Sequence, residues 1–440
     1  MSDAGTITRS GTPRAWGVVW VLFAATVLSY LDRGVIAVLS PSIKADLHIT
    51  DVEMSLIKGL SFAFFFAAAG LPIGWLVDRR NRRNIIIVGV LCWSLMTALC
   101  GLAPNFHWLL VARMGVGVGE ACLVPAAYSI IADYFAPQRR ARAMALMNAG
   151  AGIGGSGSGI IGGLLLLYLG TSSVLPSLIH LAHWRIVFLL FALPGPVVAL
   201  LLLTVREPVR AAIAARPAGA FAAFLRKCAP EMAGLYFMFA MSFAMQYALV
   251  LWSPTVLVRS FAFDQGQAGI LLGTEQLILN ILGTAFAGLL GDSLMRHRGM
   301  SMRLLLFLVC MPLVVIGGSL IFFATSVTAY LVGAGLIMFL GGVLVTLSYP
   351  MLYDVVPAST RGQAAAVYML AGNIIGLGGA PLAVGLLNDL VFENLFGAQA
   401  SVGLVIASAG LLSLAAALAI SRRYERLREQ NLAAQVTPTI

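Results

Sequence analysis

The sequence predicts an all-α polytopic membrane protein, with twelve transmembrane helices in two pseudo-symmetric six-helix bundles. Three observations carry that prediction. Of the 440 residues, 60% are hydrophobic and only 10% charged, where soluble domains run nearer ~25% charged. The apolar residues form continuous runs such as Ile85–Leu102 and Leu304–Ala324, each near the ~20 residues a helix needs to cross hydrocarbon. Barrel strands would be about half as long and would alternate. Lastly, the two halves of the chain repeat each other's landmarks.

Taken in order, a polar tail (1–15) leads into helices at 16–39, 53–77, 84–103, 107–134, 141–169 and 184–205. The tail lacks the short apolar core of a cleavable signal, and the first apolar run is of full length, so no leader is expected there. A linker, 206–231, carries Arg206, Arg210, Arg216, Arg226 and Lys227. The second six helices fall at 232–260, 266–291, 302–325, 328–355, 362–390 and 398–420, and a tail (421–440) holds Arg422, Arg423, Arg426 and Arg428. The domains are therefore expected at 16–205 and 232–420.

Orientation follows from the Lys/Arg bias of the loops. With both termini in the cytoplasm, 22 of the 28 Lys and Arg lie on that side. They include Arg79, Arg80, Arg82 and Arg83 after helix 2, Arg139, Arg140 and Arg142 after helix 4, and Arg296, Arg298 and Arg303 after helix 8. Only Arg33, Lys44, Lys58, Arg113, Arg185 and Arg259 do not. The net charge of +10 is thus spread over short loops rather than gathered into a nucleic-acid patch. A monomer in the cell membrane is expected, its partners being the bilayer, a small-molecule or lipid-like substrate and protons.

The internal repeat is concrete. Gly74-Trp-Leu-Val-Asp78 returns as Gly288-Leu-Leu-Gly-Asp292, a shift of 214, and Arg139 and Gly150 correspond to Arg361 and Gly372, both shifted by 222. Duplicated halves belong to carriers that rock one bundle against the other around a central site. The first copy reads Gly74-x-Leu76-x-Asp78-Arg79-x-x-Arg82-Arg83. Here Gly74 permits close helix approach. Asp78 can meet a helix N-terminus or an arginine in a contact that breaks as the halves separate. Gly74, Asp78, Arg79, Arg82, Asp292 and Arg139 are the expected gating residues.

Charges inside the membrane are costly and mark function. Asp32 and Arg33 lie in helix 1, and Arg113 and Glu120 in helix 4. Seven residues are almost two turns, so Arg113 and Glu120 share one face about 10 Å apart along the axis. A carboxylate buried beside arginine can change protonation as water access alternates. Asp32, Glu120 and Arg113 are the expected proton-coupling residues. A permanent ion pair between helices 1 and 4 is the competing reading.

Polar stripes suggest a cavity wall: Gln276, Asn280 and Thr284 on helix 8, Thr346, Tyr349 and Tyr353 on helix 10, and Ser242, Gln246 and Ser253 on helix 7. Arg33, Glu120, Gln246, Gln276, Asn280, Thr346, Tyr349 and Tyr353 are the expected substrate contacts, with interhelical hydrogen bonding the alternative for each stripe. Glu275 is a further acid on helix 8. Helix 5 is dense in glycine from Gly150 to Gly163, which allows tight packing and bending. Five scattered cysteines have no metal-site spacing, and no metal or cofactor is expected. The histidines, His48, His107, His180, His183 and His297, are dispersed, which disfavours a membrane enzyme.

The loop after helix 2 resembles the signature motif of the major facilitator superfamily, with Asn81 where that motif has glycine. Within it the chain is similar to Spinster-like carriers through Ser29-Tyr-Leu-Asp-Arg33, Arg113-Met-Gly-Val-Gly-Val-Gly-Glu-Ala121, Ile131-Ala-Asp-Tyr-Phe135 and Arg206-Glu-Pro208. That resemblance implies the major facilitator fold, alternating access, export of lysolipid-like amphiphiles and proton coupling. It maps the family's helix 1 Asp-Arg pair and helix 4 acid onto Asp32, Arg33 and Glu120. Organic-acid symporters look similar at the helix 1 Tyr-x-Asp-Arg and the helix 4 acid, so sugar acids are the alternative cargo.

Overall fold

A computed structural model describes residues 13–171, 181–208, 219–294, 301–357, 360–392 and 397–436. Twelve helices among them are long and apolar enough to cross a membrane: α1 (Pro13–Leu47), α2 (Asp51–Arg79), α3 (Arg82–Leu102), α4 (Phe106–Tyr134), α5 (Pro137–Thr171), α6 (His183–Leu203), α7 (Ala229–Phe261), α8 (Gln265–Leu290), α9 (Met302–Phe322), α10 (Val327–Val355), α11 (Arg361–Leu390) and α12 (Ala398–Asn431). A short helix, Ala220–Lys227, lies in the linker. The protein is an integral membrane protein.

Several helices outrun their apolar stretches. The chain of α1 stays helical through Pro41 to Leu47, and α12 continues past Ile420 through its arginines. Hydropathy marks where a helix enters hydrocarbon, whereas backbone hydrogen bonding continues into the polar turns beyond. The start of α2 is fixed by a capping box: the Thr50 hydroxyl accepts from the Glu53 N–H at 3.1 Å, and the Glu53 carboxylate accepts from the Thr50 N–H at 2.8 Å, satisfying two otherwise orphaned donors.

The chain forms two compact units, Met1–Ile36 with Phe64–Ala214, and Ala37–Ala63 with Ala215–Ile440. In the first, α3 packs against α4 and α6. Helix α5 lies along α1 through its glycines: a Cβ on Gly150 would sit 3.0 Å from the Phe23 carbonyl, and one on Gly154 would overlap that of Val27. Helix α4 is interrupted at Ala121–Cys122, between Phe106–Glu120 and Leu123–Tyr134, so Glu120 ends a helical segment in mid-span.

In the second unit α7 packs on α11 and α12, α8 on α10, and α9 on α10 and α12. The same unit takes in the hairpin Ala37–Ala63, made of the end of α1 and the start of α2. Two stretches here are wound as π-helix, Leu56–Leu60 of α2 and Gly372–Gly379 of α11, and they touch.

Candidate functional site

The charged cluster of the first unit is assembled by α1, α3 and α4. Arg33 Nη2 donates to Glu120 Oε2 at 2.7 Å, and the Ser29 hydroxyl donates to the same oxygen at 2.7 Å. Ser29, one helical turn before Arg33, therefore shares the arginine's acceptor. Arg113 Nη1 donates to the backbone carbonyl of Asp32 at 3.3 Å. Asp32 is fully buried, and Arg113 and Glu120 are each 1% exposed. The Arg33 guanidinium also lies over the rings of Tyr30 and Phe66, 4.6 and 5.3 Å from their centroids.

This arrangement leaves carboxylate oxygens to spare. Among the described residues, Glu120 Oε1 and both Asp32 carboxylate oxygens are buried with no hydrogen bond. Thr97 and Trp93 of α3 are the polar side chains next to the Asp32 carboxyl, and Arg113 and Glu120 the charged ones. Two buried carboxylates and two arginines thus occupy one region, and one carboxylate is directly paired. Buried charge of this kind is retained at a cost of several kcal/mol per ion unless paired and hydrogen-bonded. The expected residues Asp32, Arg33, Arg113 and Glu120 come together; Ser29, Trp93 and Thr97 join them. The spacing of Trp93 and Thr97, four apart on one helix face, was the available signal for the last two.

The expected substrate stripes divide in the second unit. Tyr349 and Tyr353 belong to an aromatic group on α7, α10 and α11: Tyr349 meets Tyr353 at 6.1 Å and Tyr368 at 4.8 Å between centroids, and Phe243 meets Tyr368 at 5.5 Å and Tyr247 at 6.2 Å. All but Tyr368 are partly exposed. Phe243, Tyr247 and Tyr368 were not singled out by sequence, although Phe243 and Tyr247 are four apart. Gln276 and Asn280 are half-buried on α8, while the Gln246 amide is buried against Gly341. Thr346 donates to the Gly342 carbonyl of its own helix at 2.8 Å. Ser242 and Ser253 are buried in packing, Ser242 bonded to the Met238 carbonyl and Ser253 to Tyr330. Glu275 is half-buried, its carboxylate against Gly335.

The motif after α2 divides too. Arg82 is 1% exposed and binds Asp133 at 2.5 Å, Glu207 at 2.7 Å, the Ser129 hydroxyl at 2.8 Å and the Pro208 carbonyl at 3.0 Å. It ties the first turn of α3 to the end of α4 and to the segment after α6. Asp78 is exposed, with no ion pair among the described residues. Arg79 stacks on Trp75 at 4.1 Å. A Cβ on Gly74 would meet nothing within 4 Å, so the close approach expected there is not made in this structure. Arg139 is exposed at the start of α5. Asp292 falls in the last turns of the chain's eighth helix, its side chain outside the described residues.

Comparison with known proteins converges on one class. The family described as Major Facilitator Superfamily matches residues 22–317. An "MFS-type efflux pump" of Mycolicibacterium smegmatis is 29% identical over 96% of this chain and 96% of its own length. "Protein spinster homolog 1" of Xenopus tropicalis is 29% identical over 85% of this chain and 73% of its own. The crystal structure of a bacterial homolog to the human lysosomal transporter Spinster, inward-facing and unoccupied, matches at a TM-score of 0.77 and 24% identity, covering 98% of this chain and all of that one. That last likeness speaks for the fold.

Proposed function

The chain belongs to the Major Facilitator Superfamily and is a Spinster-like transporter of small molecules, and from that premise we propose that it exports an amphiphilic, anionic, lysolipid-like solute in exchange for protons. The observation that carries the reading is the shared oxygen of Glu120, held by Arg33 and Ser29 at 2.7 Å each while the second oxygen and the Asp32 carboxyl stay without hydrogen bonds. Arg33 has two alternative anionic partners, Glu120 in the empty carrier and a cargo head group in the loaded one. Protonating Glu120 frees the arginine for cargo, and cargo release returns it to the carboxylate. Arg113 holds α4 to α1 at Asp32 through that residue's carbonyl, which keeps the two acids in one register.

The aromatic group of Phe243, Tyr247, Tyr349, Tyr353 and Tyr368 suits the apolar part of such a cargo, with Gln276 and Asn280 as further contacts. The efflux function named for the mycobacterial relative supports export. Release on the far side requires gating at the loop after α2, where Asp78, Arg79, Arg82 and Arg139, and Gly74 and Asp292 beside them, are the proposed moving contacts. We place both termini in the cytoplasm of the cell membrane on the arginine bias, take 16–205 and 232–420 as the rocking bundles, and expect a monomer.

The test is uptake in proteoliposomes under an imposed pH gradient. Glu120→Gln abolishes gradient-driven transport and keeps cargo binding, whereas Arg33→Ala loses binding of anionic cargo. Full gradient-driven transport in both Glu120→Gln and Asp32→Asn refutes proton coupling and leaves the cluster as a fixed tie between helices. A thermal-shift screen with lysolipids and sugar acids identifies the cargo class, because a ligand that binds only the folded state stabilises it.

A further inference from the structure

Lys58 is a buried amine that no part of the transport reading uses. It lies in the π-helical turn Leu56–Leu60 of the hairpin Ala37–Ala63, and it is 1% exposed. Its Nζ lies 3.3 Å from the Thr255 hydroxyl and 3.8 Å from the Trp252 ring centroid, both on α7. No carboxylate is among its hydrogen-bond partners in the described residues.

The charged groups around it are otherwise committed. Asp51, nearly two turns earlier on α2, is held by Arg259 Nη1 and Nη2 at 2.6 and 2.8 Å, by Asn388 Nδ2 at 2.9 Å, and by Lys44 of α1. Asp389 of α11 accepts from the N–H groups of Asp51 and Val52 at 3.2 and 2.8 Å, capping the helix start. The groups facing Lys58 are therefore Asp51 on its own helix, Lys44 on α1, Arg259 with Thr255 and Trp252 on α7, and Asp389 on α11. Three cations share that set with two acids already bound elsewhere.

An ammonium removed from water without a paired anion is expensive, and lysine, unlike arginine, can shed the charge. We propose that Lys58 releases its proton to water when the hairpin docks on α7 and α11, and takes one back when the hairpin detaches. In the docked form the neutral amine donates to Thr255; in the detached form the ammonium is hydrated. The sign follows directly: acid favours detachment and alkali favours docking. Between the two forms' titration ranges, a single linked proton changes the docked-to-detached ratio about tenfold per pH unit. The inference presupposes that the hairpin moves in the transport cycle.

The experiment uses full-length protein in nanodiscs, with spin labels at Ala45→Cys and Gln267→Cys, both exposed positions of one unit, and native cysteines replaced. Electron-electron distances are read across an acid-to-alkaline series, in the wild type and in Glu120→Gln, which isolates the response from the coupling site proposed above. The longer, detached distance grows in acid in both. Lys58→Met, or Lys58→Gln should Met not fold, stays docked at every pH, and Lys58→Arg stays detached at every pH. A permanently charged anchor predicts the reverse: Lys58→Arg docks like wild type and Lys58→Met detaches. That result, or an unchanged distance distribution across the series in Glu120→Gln, overturns the proposal while leaving the transport reading untouched.

Discussion

Helices α4 and α10 occupy corresponding places in the two halves, and they have kept one charge pair while losing another. At their ends the pairing repeats: Arg82 with Asp133 in the first unit, and Arg303 with Asp354 at 2.7 Å in the second, both partners shifted by 221. The same shift sets Ala334 and Gly341 where α4 carries Arg113 and Glu120. The Arg33–Glu120 contact of α1 and α4 thus has as its counterpart the neutral contact of Gln246 with Gly341 between α7 and α10. The duplicated scaffold preserved the ties at its edge and diverged in mid-span. Charge handling is confined to one unit, and the other offers rings and amides.

The retained pair is not equivalent in depth, and the largest predicted effect exploits that. Arg82 is buried with two acids, whereas Arg303 and Asp354 are each about a fifth exposed. Arg82→Ala strands Asp133 and Glu207 and costs about 3–5 kcal/mol; Arg303→Ala costs about 1 kcal/mol or less. Thermal unfolding of the two variants in one detergent measures the gap, and equal losses would erase the asymmetry.

Next in size is Gly154→Ala, which pushes a methyl group into the Val27 carbonyl and costs about 1–3 kcal/mol, read as a fall in melting temperature. A smaller effect is expected from Phe243→Ala. By removing part of the aromatic wall of the second unit it weakens binding of a long-chain lysolipid about tenfold, an effect of ~1.4 kcal/mol, while the pH dependence of transport stays as in wild type. Calorimetric titration and proteoliposome flux separate the two readouts, and a shifted pH profile would break the division of labour between units. Least affected is Asp78→Asn. This exposed residue makes no ion pair among the described residues, so the melting temperature stays unchanged while cysteine accessibility near Arg139 rises. Unaltered accessibility reduces the motif to a topology signal.

Twelve helices were legible because hydrocarbon imposes a length and a composition on each of them. The cluster of Asp32, Arg33, Arg113 and Glu120 was legible for the same reason, since charges stand out against apolar neighbours. Lys58 and Asp51 carried equal charge yet were passed over, because sequence shows neither that the hairpin joins the second unit nor that Trp252 lies over the amine. Hydroxyl stripes misled for a related reason. Ser253 and Thr346 have the spacing of cavity residues, but a hydroxyl in a helix can bond its own backbone four residues back, and both do.

The π-turn at Leu56–Leu60 gives the hairpin an index. Such a turn holds one residue more than an α-helical turn, and each residue advances a helix by about 100°. Deleting one residue there would restore α geometry while rotating everything before it by that angle relative to everything after. Asp51 would then turn away from Arg259, and Ser55 from the Pro381 carbonyl it now meets at 2.8 Å. The phase relation between the two ends of α2, one in each unit, is therefore written in a single inserted position. A carrier with a one-residue deletion in this turn should insert and fold yet lose the docked form of its hairpin.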